Sequence, residues 1–288
     1  MKALGISRSI EFSPNSENKD SFILHAVGDV LQQKGMDVSY LTENEFLSSS
    51  IEGVDLIFTM GRDARTVKCL EKFEKKRILV VNPATGIRNS ERFRLSELFL
   101  KERIPIPRTK LLESILEQAD VTWPYPVWIK RGDGCAQVKD DVQLCGNAIE
   151  ANAALAGFRR RGIERAVVSE HLKGDLVKFY GVLGTPFFSW NYPDFSKSKF
   201  GLEEKNGPVQ GYRFNVDKMK EICDKAADIL QIPVYGGDCI VAADGTFKII
   251  DFNDWPSFSS CRDEAAHAIA SYIIKTYERN KKRPEFNT

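Results

Sequence analysis

The sequence predicts an α/β chain whose N-terminal part is a doubly wound parallel sheet and whose remainder is α+β, built on antiparallel strands. Three observations carry this reading. Up to about residue 108, short apolar strands alternate with helical segments, the pattern of a parallel sheet with helices on its faces. Beyond Pro105 and Pro107 the rhythm changes to paired strands joined by glycine-containing turns. The 288 residues are enough for two domains, or one large one with lobes, and for a substantial core.

The elements follow in order. KALGIS is a short apolar strand, and Asp20 to Lys34 carries Phe22, Ile23, Val30 and Leu31 near helical spacing, with Gly35 as a C-cap. DVSYLT, VDLIFTM and RILVVN read as three more strands, with a basic helix from Ala64 to Lys75 before the last. Ser90 to Glu102 is helical, with Phe93, Leu95, Leu98 and Phe99 on one face, and IPIPRTKLL is a linker. PVWIK and AQVKD then read as a hairpin around RGDGC. A helix from Ala148 to Arg161 leads to the strands AVVSEHL, LVKFYGVLG and FFSWNY. Pro193 to Gly211 has neither period and reads as a mobile loop. A helix from Asp217 to Leu230, a hairpin whose strands join at Ala-Asp-Gly, and a last helix from near Arg262 to about Glu278 complete the chain.

Composition narrows the function. Forty-one Lys+Arg against forty Asp+Glu leave a net charge of +1, which asks for neither a nucleic-acid backbone nor an anionic membrane. No apolar run approaches the roughly 18 residues of a membrane span. The start, MKALGISRSIEF, lacks the apolar stretch of a signal peptide, so a soluble cytoplasmic protein is the expectation. Six scattered cysteines without a CxxC pair, and three histidines, argue against a zinc site, a disulfide framework or a His-based hydrolase.

The final hairpin is the most informative element. Asp251 and Asn253 lie two apart on one strand and so project from one face, and the antiparallel partner can bring Asp238 beside them. Three oxygen donors on one face suit a hard cation such as Mg²⁺ held with nucleotide phosphates, although polar strand-end residues show the same spacing. Lys130, leaving the apolar strand PVWI before a glycine turn, can meet phosphates as a point charge, or can simply precede a β-turn. Glu170 ends an apolar strand where backbone groups can read an adenine edge, and Lys178 lies on the next strand; both are equally residues of a solvated sheet face.

Taken in order, NPATGIRNSERFRLSELFLKERIPIPRT, PVWIKRGDG, VVSEHLKG, and GGDCIV with IIDFNDWP resemble the ATP-grasp superfamily, from about Asn82 to the final helix. The resemblance implies an ATP-grasp fold with domains at 1–108, 109–176 and 177–288: an N-terminal parallel domain, a central lid subdomain and a C-terminal subdomain with the metal site. It implies ATP and two Mg²⁺ ions, with Mn²⁺ as an alternative. Lys130 would be the strand-end lysine, Glu170, His171 and Leu172 the adenine hinge, Lys178 a phosphate ligand, and Asp238, Asp251 and Asn253 the metal ligands. Glu91-Arg92 stands where relatives carry Asp-Lys, and Arg92 would bind the nucleotide differently from a lysine.

The implied activity is that of a carboxylate-amine or carboxylate-thiol ligase acting on a small molecule or peptide through an acyl phosphate, with Lys178 assisting transfer; Arg213, beside the mobile loop in YRFN, can clamp a carboxylate or the acyl phosphate as a catalytic residue, or is simply a surface arginine. Its partners would be small-molecule carboxylate and amine substrates, and a homodimer is the default assembly. IIDFN and GDLVKFYGV also resemble inositol polyphosphate kinases, the alternative. Against that stands the lack of a dense basic pocket: Arg8, Arg62, Arg65 and Arg88 are dispersed.

Overall fold

Alternation within the first strands divides their side chains between two cores. The computed structural model describes residues 1–12, 17–116, 124–193 and 202–282. Strand β1 (Lys2–Ser7) sends Ala3 to one face and Leu4 and Ile6 to the other, and β3 (Leu56–Thr59) likewise divides Leu56 and Phe58 from Ile57. With β2 (Asp37–Thr42) and β4 (Leu79–Val81) they form a parallel sheet in the order β2-β1-β3-β4. One face is covered by α1 (Glu17–Gln33) and by the C-terminal helix α8 (Arg262–Lys281), through Ile23, Leu24, Val27, Ala265 and Ile269. The other is covered by α2 (Glu43–Ser48), α3 (Ala64–Lys75) and α4 (Ala84–Asn89). Sequence periodicity does not find α2 and α4, which are only six residues long. A reciprocal cap between Thr42 and Glu45 starts α2, and that spacing was its one local signal.

Helix α5 (Arg92–Lys101) leads into two antiparallel sheets. The middle sheet, β5-β8-β6-β7, contains β5 (Thr109–Leu112), β6 (Val127–Arg131), β7 (Val142–Cys145) and β8 (Ala166–Glu170), and packs on α6 (Ala148–Arg160). The third sheet, β10-β9-β11-β12, contains β9 (Asp175–Val182), β10 (Phe188–Asn191), β11 (Val234–Val241) and β12 (Phe247–Asp254). It packs on α5 and α7 (Val216–Leu230) through Phe99, Phe179, Met219, Leu230 and Phe252.

One hairpin departs from expectation. The partner of β6 is not AQVKD but VQLC, with Val127 opposite Cys145 and Lys130 opposite Val142. The cause is Asp141, fully buried, whose Oδ2 accepts the Gln137 and Val138 N–H groups at 2.7 and 3.0 Å while its carboxylate pairs with Arg131 and Arg161. That folds the AQVKD stretch away from the ladder. Of the expected mobile loop, residues 194–201 lie outside the described residues. Its far end is tethered, since the Gln210 and Tyr212 N–H groups donate to the buried Asp175 at 2.6 and 2.8 Å. The end of the expected basic tail, 283–288, also lies outside the described residues. Among the described residues no helix is long and apolar enough to cross a membrane.

Buried Asn82 joins the first sheet to the third. Its Nδ2 donates to the Val234 carbonyl at 2.8 Å and its Oδ1 accepts the Val234 N–H at 3.0 Å. Asn82→Leu would leave the Val234 N–H without an acceptor and its carbonyl with the Trp255 N–H alone, so urea denaturation should show a loss of about 1–3 kcal/mol; a change within about 0.5 kcal/mol would mean the junction does not depend on this pair.

Candidate functional site

Strand register builds the site. Strand β11 is central in the third sheet, with β9 on one side and β12 on the other, and Asp238 faces Lys178 on the first and Asp251 on the second. A bulge follows between Asp238 and Cys239, where the β12 register slips. Gly237 permits the tight approach: a Cβ there would lie 2.2 Å from the Asp251 carbonyl oxygen and 2.6 Å from the Phe179 ring. Lys178 Nζ donates to Asp238 Oδ1 at 3.2 Å, and Asn253 Nδ2 donates to Asp251 Oδ2 at 3.2 Å. The next row on the same face is apolar, with Leu176 opposite Ile240.

The middle sheet supplies the opposite wall. Lys130 Nζ crosses from β6 to donate to the Ile250 carbonyl at 3.0 Å. Burial, with Arg92 beside it, brings the Lys130 ammonium down to about 8, and Asp251 and Asp238 act the other way. Burial pushes the Asp251 carboxyl up, but Arg92, Lys130 and Lys178 outweigh it and hold it below its ordinary value. Between the walls lies a cavity of about 310 Å³, lined by Lys130, Lys178, Asp238, Asp251 and Asn253 at its charged part and by Leu172, Leu176, Ile240 and Ile250 among its apolar residues.

The structure brings most of the sequence-predicted residues to this cleft and gives several of them partners within the fold. Arg92 lines it, yet its Nη1 donates to the carbonyls of Arg131 and Gly134 at 3.0 and 3.1 Å, holding the glycine turn, while Nη2 lies 3.9 Å from Asp251. Glu170 lines the cavity with its carboxylate already partnered, and is not a solvated residue. Its carboxylate accepts from the Arg108 N–H at 2.9 Å, from Arg108 Nε at 2.7 Å and from Lys248 Nζ at 3.0 Å. His171 donates its backbone N–H to the Pro126 carbonyl and its ring Nδ1 accepts from Trp128 Nε1 at 3.2 Å, while Leu172 and Trp128 line the cavity.

Arg213 does not join the cluster. It is exposed and its backbone lies beside Gly245 at the tip of the β11–β12 hairpin, several residues along the strands from Asp238 and Asp251. In its place two arginines from the first sheet, Arg8 and Arg62, enter the cavity lining, together with Cys135 of the glycine turn. Burial pushes the Cys135 thiol up, but Arg62, Arg8 and Arg92 outweigh it and leave it below its ordinary value. The signal for the two arginines was their position after β1 and β3, because ligands of open α/β sheets bind at the carboxyl ends of the strands.

Two carboxylates and an amide form a sparse, hard-oxygen donor set. Among the described residues no cluster of three or more His, Cys, Asp or Glu exists that could enclose a metal by itself. Asp238, Asp251 and Asn253 therefore fit Mg²⁺ of the kind that completes its shell with phosphate oxygens and water, and do not fit a soft or fully caged ion.

No protein-family model and no curated protein matches the chain by sequence. Solved structures do. A D-alanine–D-alanine ligase from Coxiella burnetii superposes with a TM-score of 0.69 at 11% identity, covering 98% of this chain and 97% of that one. The enzyme of that name from Bacillus anthracis, complexed with ATP, gives 0.67 at 10%, covering 97% and 99%. An ATP-grasp RimK domain protein from Sphaerobacter thermophilus gives 0.67 at 14%, covering 95% and 100%.

Burial pushes Glu170 up, but the Arg108 and Lys248 hydrogen bonds bring it from 4.5 to about 2. A carboxyl lowered on folding stabilises the protein fully above its unfolded value and loses that contribution as pH falls through its folded value. Glu170→Gln should therefore flatten the fall in unfolding free energy between pH 4.5 and about 2, measured by urea denaturation at a series of pH values; an unchanged slope would show that Glu170 is not held this way.

Proposed function

We propose, from the ATP-grasp fold that this chain has, that it is an ATP-dependent, ADP-forming ligase joining a small-molecule or peptide carboxylate to an amine or thiol through an acyl phosphate. The observation that carries the reading is the pair of adjacent rows on one sheet face. An apolar row, Leu176 and Ile240, suits a flat base, and the next, Lys178 and Asp238 with Asp251 and Asn253, suits a metal-bound polyphosphate. The separation between rows is about 7 Å, two residues of strand.

In this reading Leu172, Trp128 and the apolar row enclose the adenine and keep water from it. Asp238, Asp251 and Asn253 would hold Mg²⁺, one ion or two, which when bound neutralises phosphate charge and keeps the terminal phosphoryl group in line for transfer. Lys130 stays largely protonated at neutral pH, since its value of about 8 lies above 7, and its charge acts in a poorly hydrated site. Lys178, already on Asp238, is placed to share its donors with a phosphate oxygen. The substrate carboxylate attacks the γ-phosphorus, ADP leaves, and the amine or thiol then displaces phosphate from the acyl carbon. No side-chain nucleophile is required.

Phosphoryl transfer to a hydroxyl, the kinase reading, gains one observation: Arg8 and Arg62, dispersed in sequence, meet in the cavity. Phosphorus NMR of the protein with Mg-ATP and a pooled metabolite extract separates the two. Equal release of ADP and free phosphate, dependent on the extract, is the expected result. ADP with a new phosphoester and no matching phosphate would turn the assignment to a kinase, and no turnover in any extract would count against both. Asp251→Ala should lower Mg-dependent turnover by at least about 10²-fold without changing the melting temperature by more than a few degrees; full turnover would remove Asp251 from the metal site.

A further inference from the structure

Beyond Asn253 the cleft ends on the first sheet. Arg8 and Arg62 follow adjacent parallel strands, β1 and β3, and both line the cavity that holds Lys178, Asp238 and Asp251. Their hydrogen bonds differ. Arg8 is almost wholly committed: Nε to the Met60 carbonyl at 3.0 Å, Nη1 to Asp20 at 3.1 Å, and Nη2 to the Trp255 carbonyl at 2.9 Å. Arg62 is committed at Nη2, which donates to the Asp254 carbonyl at 3.0 Å and pairs with the Asp254 carboxylate, and its guanidinium also meets the Cys135 thiol. Its Nε is buried with no hydrogen-bond partner among the described residues.

A buried N–H without an acceptor is unfavourable unless a ligand supplies one. Arg62 lines the same space as Asp251, Asn253 and Lys130, and its side chain is 14% exposed. The neighbouring guanidinium of Arg8 adds to the positive field. Burial and Arg62 push Arg8 below its ordinary value, and Asp20 and Asp254 do not fully restore it. From Asp251 to Asp254, the residue that holds Arg62, is about 10 Å of strand, so a small acid could reach from the transfer centre to the arginine.

We propose that the acid activated here carries a second anionic group, a carboxylate or a phosphate, and that Arg62, backed by the charge of Arg8, receives it. This rests on the ligase reading above, because that reading makes an acid the group presented to ATP. A guanidinium fork matches either anion by paired N–H donors, whereas an ammonium would act only as a point charge.

Calorimetric titration of the full-length protein tests this, with the nucleotide site filled by Mg²⁺ and a non-hydrolysable ATP analogue. The probes are inorganic phosphate, succinate and butyrate. Succinate or phosphate should bind at least about tenfold more tightly than butyrate, and Arg62→Met should weaken the preferred probe by at least about tenfold. Which of the two dianions is preferred tells carboxylate from phosphate. Arg62→Lys keeps a charge for Asp254 and should fall between the two, so it serves if Arg62→Met does not fold. Affinity for the analogue should stay within about twofold in both variants. Equal binding of all three probes, no binding of either dianion, or dianion binding indifferent to Arg62 would overturn the proposal. If the analogue fails to bind the unaltered protein, the nucleotide reading fails; the same titrations without it then decide on Arg62 alone.

Discussion

The position of β11 between β9 and β12 is the constraint on which the candidate site depends. A central strand offers each residue a neighbour on both sides, so Asp238 meets Lys178 and Asp251 at once. Neither edge strand could do this. The bulge after Asp238 and the bare backbone at Gly237 let the three strands close up while the charges remain on the cleft face. Repulsion between the two carboxylates is offset by Lys130, Lys178 and Arg92, which keep Asp251 ionised in spite of its burial. The polar cluster is therefore a product of register, and a one-residue slip would send every member to the packed side.

The second constraint lies between sheets. Asn82 binds both polar groups of Val234, while Arg8 and Arg62 bind the backbone at Asp254 and Trp255. The strand that carries Asp251 and Asn253 is thus fixed at its end by the first sheet. Helix α8 returns along the chain to pack beside α1, so the N-terminal core contains residues from both ends of the sequence. What the first sheet contributes to the cleft, chiefly two arginines, is held with little freedom relative to the acids on β12. That rigidity suits a site that must align two reacting groups.

Much of the architecture was legible in the sequence because its periodicity is local. The parallel strands, α3, α6, α7 and the Ala-Asp-Gly hairpin stand where apolar spacing and turn residues put them. AQVKD failed as a strand because a buried carboxylate, Asp141, captured its backbone, and the two arginines that Asp141 binds lie 10 and 20 residues away from it. The same limit holds at the site. Residues two apart on a strand were readable, but the commitments of Glu170 and Arg92 depend on Lys248 and on the glycine turn, which only folding brings near. Arg213 stands beside a loop in the sequence, and a loop's neighbours are set by tertiary contacts that spacing does not encode. The dispersed arginines are the converse case, since two of them converge although 54 positions separate Arg8 from Arg62.

Arg92 occupies an unusual place among these contacts. One arm of its planar guanidinium holds two carbonyls of the turn at 131–134, and the other is directed toward Asp251 from 3.9 Å. The two arms are rigidly joined, so displacement of one is transmitted to the other. Anything negative that settles beside Asp251 and draws the free arm forward also pulls on the turn, and loss of the turn lets the free arm drift. The acid and the turn are thereby geared together through a single side chain, and a lysine, with its donors gathered at one point, would leave them independent.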